Sequence, residues 1–223
     1  MDTFEQPDHE TFAARIGPQA WRILLTTGDL RSYNPGRALL RQGDPGGFVL
    51  VLESGRVKVL AGAEDGAQLM LTVRGAGHLL GELAGDAEGR RTATIEAIDQ
   101  CTARYLALPA FERFLTANDL TAAFRGYVTG KFDQAVTRQV DLAHRLAVRR
   151  IAQLLFDMVR FAPPGLADPL RVPFTQEELA ASLGMSRSTV TDQLAKLRRS
   201  GALGPGPQLV VADLTRLREW AEA

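Results

Sequence analysis

Cysteine is nearly absent from this 223-residue chain, where Cys101 stands alone. A single thiol closes no intramolecular disulfide and supplies no thiolate cluster for zinc or iron–sulfur, so no such cofactor is expected and a reducing, cytoplasmic setting is. Net charge is absent as well, with 26 Lys plus Arg against 26 Asp plus Glu. Any attraction for nucleic acid must therefore come from a local basic patch and not from a bulk positive field. No run approaches the ~18 apolar residues of a membrane span, and residues 1–12 carry neither a basic nor an apolar leader segment, so no membrane partner is expected. Walker-type glycine loops, nucleophile–base pairs and metal clusters are lacking too, and the chain is not expected to be an enzyme. What remains is an ordinary globular balance, 45% hydrophobic and 23% charged, at a length suited to one large domain or two modest ones.

Between Leu30 and Leu108, glycine recurs among β-favouring runs: Phe48-Val49-Leu50-Val51-Leu52, Val57-Lys58-Val59-Leu60 and Leu69-Met70-Leu71-Thr72-Val73. Turn clusters such as Gly43-Asp44-Pro45-Gly46-Gly47, Ser54-Gly55 and Glu64-Asp65-Gly66 part them. Short strands and tight turns in this density predict a sandwich or small barrel. After Pro109 the character changes: up to Phe161 there is no further proline, and glycine occurs only at Gly126 and Gly130. A long helix is expected there, with Phe124, Val128, Ala135 and Leu142 on one stripe and Lys131 and Arg138 at the intervening seven-residue positions. The stripe either packs on the β module alone or also forms a partly wet seam between two copies of the chain. Three prolines between Phe161 and Pro169 make a loop after the next helix. Ile151, Leu154, Leu155 and Met158 on that helix need cover, which places the start of the last domain near the helix's own start. The expected division is 1–117, 118–146 and 147–223.

The last domain carries the most specific local pattern. Thr175, with Glu178 three residues on, forms a capping box for a first helix whose apolar face is Leu179, Ala180 and Leu183. Gly184 falls where a turn needs positive φ, and Ser186 caps a second helix with Val190, Leu194 and Leu197 inside. The pattern reads as a helix-turn-helix, whose second helix is expected to enter the major groove of double-stranded DNA, the alternative being a helical hairpin within a larger core. Arg187, Ser188 and Thr191 project from its outer N-terminal face. Arg187 is the first candidate for a base edge, a guanine. Ser186, Thr189 and Lys196 are expected on phosphates, and Thr175 and Gln176, at the start of the first helix, complete the candidate set. Leu203-Gly204-Pro205-Gly206-Pro207-Gln208-Leu209-Val210-Val211 reads as strand, turn and strand, the pattern of a wing. Lys196, Arg198 and Arg199 either add to a DNA-facing patch or form an ordinary solvated helix end.

In the β module, Gly81-Glu82-Leu83-Ala84 is followed by Arg91-Thr92-Ala93. A short helix from Gly81 offers free backbone N–H groups, Arg91 a fork of charge-assisted donors and Thr92 a hydroxyl, a set suited to a cyclic phosphate. Glu82 can accept from a ribose 2′-OH.

With that cassette ahead of a long helix and a winged helix-turn-helix, the chain resembles the cyclic-AMP receptor protein/fumarate-nitrate reduction regulator family over nearly its whole length. The resemblance implies an α+β fold: an N-terminal cyclic-nucleotide-binding, jelly-roll-like β-roll, a long dimerisation helix and a C-terminal winged helix-turn-helix. It implies a homodimer that binds a pseudo-palindromic operator under the control of a cyclic nucleotide, cyclic AMP being the expected one, with RNA polymerase as a further partner. The ligand residues it implies are Gly81, Glu82, Leu83, Arg91, Thr92 and Ala93.

Three departures are visible. Gly85-Asp86-Ala87-Glu88-Gly89 replaces bulky apolar residues after the cassette. Ala135 and Val136 stand where a Thr-Ser pair meets adenine, with Thr137 able to bond a base if the register slips by one. On the reader helix, Ser188 and Asp192 replace an acid and a second arginine, so a different operator sequence is expected. Alternatives are a regulator of the same family that is ligand-independent or takes another effector, and a non-catalytic nucleotide-binding module. Haem is not expected: His9, His78 and His144 are scattered, and His78 reads as a surface loop residue. Cys101 reads as a small buried hydrophobe in preference to a redox switch.

Overall fold

The structure, a computed structural model, describes residues 11–62, 68–84, 89–144 and 146–222, with the backbone alone described for 137–144. Helix α1 (Phe12–Thr27) opens on Thr11, whose Oγ1 accepts from the Ala14 amide at 3.1 Å, and is interrupted at Gly17 just ahead of Pro18. Among the described residues eight strands follow: β1 (Asp29–Tyr33), β2 (Ala38–Leu40), β3 (Phe48–Ser54), β4 (Val57–Gly62), β5 (Gln68–Arg74), β6 (Leu79–Leu80), β7 (Thr94–Ala97) and β8 (Cys101–Ala107). They form two antiparallel four-stranded sheets, ordered β1-β8-β3-β6 and β2-β7-β4-β5. The three apolar runs of the sequence are β3, β4 and β5, and Val49, Leu50, Val51 and Leu52 are all buried because both faces of β3 are covered. At the turn after β3 only glycine fits: Gly55 has φ +83°, and a Cβ there would lie 2.6 Å from Cys101 Sγ and from the Gln100 carbonyl.

Helices α2 (Leu108–Ala117) and α3 (Thr121–His144) lead away from β8. Phe12 of α1 packs on Phe111 of α2 and on Phe124 and Tyr127 of α3, with ring centroids 5.3–6.2 Å apart, so three helices share one aromatic cluster against the β-roll. The stripe of α3 packs on the β-roll through Phe124, the first of the two arrangements expected for it. Tyr127 and Lys131 turn toward the β-roll, Gln134 accepts from Arg74 Nη2 at 2.8 Å, and Phe132 and Val136 stand exposed on the opposite side. Lys131 is therefore not a wet seam residue; an ion pair inside the sensor draws it inward. The side chains of Arg138 and Leu142 lie outside the described residues.

The C-terminal part comprises α4 (Ala147–Arg160), α5 (Gln176–Leu183), α6 (Arg187–Arg199) and α7 (Leu214–Glu222). Ile151, Leu154, Leu155 and Met158 of α4 are buried with Leu179, Val190, Leu194, Leu197 and Leu217. The same core cluster takes in Leu60, Met70 and Val73 from β4 and β5. A buried arginine also crosses between the two parts: Arg56, 1% exposed, gives Nε and Nη2 to Asp99 at 2.7 and 2.8 Å, and Nη1 to the Met158 carbonyl at 2.6 Å. The wing is slighter than two strands. Leu203 bridges Val211, and the Gly204 amide donates to the Val210 carbonyl at 2.9 Å, because the Gly/Pro turn between them leaves little chain to pair.

Candidate functional site

A cavity of about 520 Å³ opens beside β5 and β6. Gly81, Glu82, Leu83, Arg91, Thr92 and Ala93 all line it, so the six described residues of the expected ligand set are brought together. Thr137, the seventh, has its side chain outside the described residues. Gly81 turns the chain with φ +86° into a 3₁₀ turn over Glu82–Ala84, and a Cβ at Gly81 would overlap Arg91 Nη1.

Arg91 is held firmly. Nη1 donates to the Gly81 carbonyl at 2.6 Å, Nη2 to the Phe48 carbonyl at 3.0 Å, and the guanidinium lies 4.3 Å from the centre of the Phe48 ring. Its Nε is buried with no partner among the described residues. Burial lowers the Arg91 pKa, while the charges of Glu82 and Asp44 act the other way.

Lys131 of α3 is the functional residue the sequence pattern misplaced. Its Nζ donates to Glu82 Oε1 and to the Leu79 carbonyl, both at 2.7 Å, and lies 4.7 Å from the Tyr127 ring centre. Burial lowers its pKa, Glu82 raises it and Arg74 lowers it again. The signal was available in its position one helical turn before Ala135, which also lines the cavity. Glu82 keeps one oxygen over: Oε2 is buried and has no partner among the described residues. Among the described residues, five cations stand around the cavity, Arg74, Arg91, Lys131, Arg149 and Arg150, against two carboxylates, Glu82 and Asp157. That imbalance in a partly desolvated cleft gives these side chains a positive field suited to an anion.

His78 departs from the surface reading. It is 1% exposed, its Nδ1 lies 2.9 Å from the Gly75 carbonyl, and its ring meets Phe161 edge-on at 5.1 Å. A loop position misled because this loop is roofed by the C-terminal end of α4. Burial first, then the charges of Arg74 and Lys131, hold its pKa well below 6.5. Cys101 is buried too, with its thiol pushed up to about 11 by burial, which makes it a poor nucleophile.

The helix-turn-helix has the local geometry its residues encode. Thr175 Oγ1 accepts from the Glu178 amide at 3.1 Å, and Glu178 Oε2 accepts from the Thr175 amide at 2.7 Å, completing the capping box. Gly184 sits at φ +61°, and Ser186 Oγ accepts from the Thr189 amide at 3.1 Å. Val190, Leu194 and Leu197 are fully buried, which fixes the outward face. On that face Ser186, Arg187, Ser188, Thr191 and Lys196 are exposed with Thr175, while Thr189 and Gln176 are half-buried. Thr191 Oγ1 donates to the Arg187 carbonyl at 2.9 Å and lies 3.3 Å from Gln176 Oε1, linking the two helices at their outer edge. Arg198 differs from its neighbours: its Nε and Nη2 are buried, so the exposed cations at this end are Lys196 and Arg199.

A double-sheet domain with a cation-lined pocket, walled in part by a helix-turn-helix domain, defines a DNA-binding protein with a candidate ligand site. Known families agree. A cyclic nucleotide-binding domain matches residues 30–118, and a Crp-like helix-turn-helix domain matches residues 149–220. The chain is 26% identical over 206 residues to a CRP-like cAMP-activated global transcriptional regulator of Mycobacterium tuberculosis, covering 91% of this chain and 92% of that one. It is 27% identical over 208 residues to the Cyclic AMP receptor protein of Thermus thermophilus, covering 92% and 94%. The fold is shared with the c-di-GMP responsive global regulator CLP of Xanthomonas campestris, at a TM-score of 0.67 and 22% identity over 87% of this chain and 99% of that one. The chain belongs to the CRP/FNR family: it is a DNA-binding transcription regulator with a cyclic nucleotide-binding domain, and these relatives are regulators, not enzymes.

Proposed function

We propose that the chain is a homodimeric, cytoplasmic regulator whose affinity for a pseudo-palindromic operator is set by cyclic AMP bound in the β-roll. The observation that carries this is the single cavity lined by Gly81, Glu82, Arg91 and Thr92 with Lys131 of α3. In this reading the cyclic phosphate takes Arg91 Nε, the Thr92 hydroxyl and backbone groups near Leu83 and Ala93, and Glu82 Oε2 accepts the ribose 2′-OH while Oε1 stays on Lys131. Thr137 is proposed on the base. Relatives described as cAMP-activated support the choice of nucleotide.

The exposed pair Phe132 and Val136, one turn apart on α3, is the proposed seam between protomers. Two α6 helices then enter successive major grooves, with Arg187, Ser188 and Thr191 on base edges and Ser186, Thr189, Lys196, Thr175 and Gln176 along the backbone. Sensor, long helix and reader divide as 1–117, 118–146 and 147–223, and RNA polymerase is a further partner. The mechanism calls on no metal, haem or iron–sulfur cluster. Ligand acts through differential affinity for two arrangements of the reader domains.

Calorimetric titration with cyclic AMP and cyclic GMP, together with mobility shifts of genomic fragments, tests this. Heat on binding and a ligand-dependent shift are expected; no heat with either nucleotide and an unchanged DNA affinity would overturn it. A second reading, a different effector in the same pocket, is favoured by Ala135, whose methyl group lines the cavity and offers no hydrogen bond to a base. A ligand response that survives Arg91→Ala would select it.

A further inference from the structure

The far wall of the cavity belongs to the reader domain. Arg149, Arg150 and Gln153 of α4 line it, together with Leu183, the last residue of α5. Arg150 Nη2 donates to the Leu183 carbonyl at 2.6 Å, immediately before the Gly184 turn. Carbonyls in the last turn of a helix have no intrahelical partner, so this guanidinium both satisfies α5 and fixes where the turn begins. The other nitrogens of Arg150 have no partner among the described residues. Gln153 gives Nε2 to Asp157 Oδ1 at 3.1 Å, and its amide oxygen is likewise without a partner there. Arg150 is partly desolvated, and burial lowers its pKa.

The described side chains of the long helix supply little for a base at this level. Ala135 presents a methyl group and Val136 is apolar and 62% exposed. Among the described residues, the polar side chains of the cavity beyond Lys131 and its phosphate end are Thr72 and Arg74 of β5, which bond the Val73 carbonyl and Gln134, and those of α4.

We propose that the effector is clamped between the two domains, with Arg150 and Gln153 of the reader domain meeting its purine base while Arg91 holds its phosphate. This rests on the cyclic-nucleotide reading of the pocket. Arginine donates to acceptors on a purine edge, N7 in either purine and O6 in guanine, and the glutamine amide offers one donor group and one acceptor. The base would then engage the residue that already holds Leu183, adjacent to the turn between the two helices that read DNA. Such contacts exist only in the docked arrangement, which gives the ligand the differential affinity that any switch requires.

Full-length wild type, Arg150→Ala, Gln153→Ala and Arg91→Ala are titrated with cyclic AMP and cyclic GMP by calorimetry. Hydrogen exchange is read at the amides of residues 184–186 with and without nucleotide. Arg150→Ala and Gln153→Ala are each expected to weaken binding about tenfold. Nucleotide is expected to protect residues 184–186 in the wild type and not in Arg150→Ala. Gln153→Ala leaves the Arg150–Leu183 bond in place, so its loss of affinity separates a ligand contact from damage to the reader. Wild-type affinity in both α4 variants overturns the clamp even where Arg91→Ala abolishes binding and so upholds the nucleotide reading. A wild type that binds neither nucleotide overturns that reading and the clamp with it.

Discussion

Lys131 Nζ lies 2.7 Å from Glu82 Oε1 across 49 residues of sequence, tying the long helix to the turn that forms the phosphate end of the cavity. Removing one partner of a buried pair leaves the other charge uncompensated, at about 3–5 kcal/mol. Lys131→Met is therefore expected to lower stability by that order. The double change with Glu82→Gln should recover a large part of it, because both charges then leave together. Denaturant melts of the two single variants and the double variant measure the coupling.

Gly81→Ala strikes the same end by another route. Alanine at φ +86° is strained by about 1–3 kcal/mol, and its Cβ would overlap Arg91 Nη1 and lie 2.9 Å from Leu40 Cδ1. The Arg91 fork must move. We expect nucleotide affinity to fall tenfold or more with a lowered melting temperature, read by calorimetric titration and thermal melts.

His78 gives the chain an acid-side sensitivity. Its folded pKa lies below the ordinary 6.5, so below that value the unfolded chain takes up a proton that the folded chain refuses. Its penalty is absent above 6.5, and stability drops as pH falls below it, by up to about 1.4 kcal/mol per pH unit until the folded pKa is reached. His78→Gln should flatten that slope. Urea melts of both forms between about pH 7.5 and 5.5 test it; equal slopes would rule the histidine out.

On the reader, Arg187→Ala is expected to weaken specific operator binding by about 1–3 kcal/mol and to leave non-specific binding nearly unchanged. Lys196→Ala should instead weaken binding to all sequences and reduce the salt-dependence slope by about one. Mobility shifts at several salt concentrations, on operator and random fragments, distinguish the two.

Much of this was legible in residue order because the signals are local. A capping threonine with Glu178, a turn glycine and a second cap at Ser186 are each satisfied within four residues of themselves, and the structure closes all three. The alternation of β runs and glycine turns likewise announces a double-sheet module. Legibility failed where partners are remote. Lys131 read as a seam residue because its partner, Glu82, is distant in sequence, and helical periodicity cannot say which neighbour a charged residue faces. His78 read as exposed because Phe161, the ring that covers it, belongs to another domain. Arg150 and Gln153 gave no signal of a place at the cavity, since only the packing of α4 against β5 brings them there.

The buried crossing of Arg56 onto the Met158 carbonyl has a consequence for how such chains can be recombined. A reader domain grafted from a relative at residue 146 would have to present a carbonyl to that guanidinium and an apolar face to Leu60, Met70 and Val73. Without them the graft would bare hydrophobic sheet and strand a buried cation's third donor. The two parts are thus coupled units that should melt in a single transition, and specificity is better exchanged by altering the exposed side of α6 than by trading whole domains.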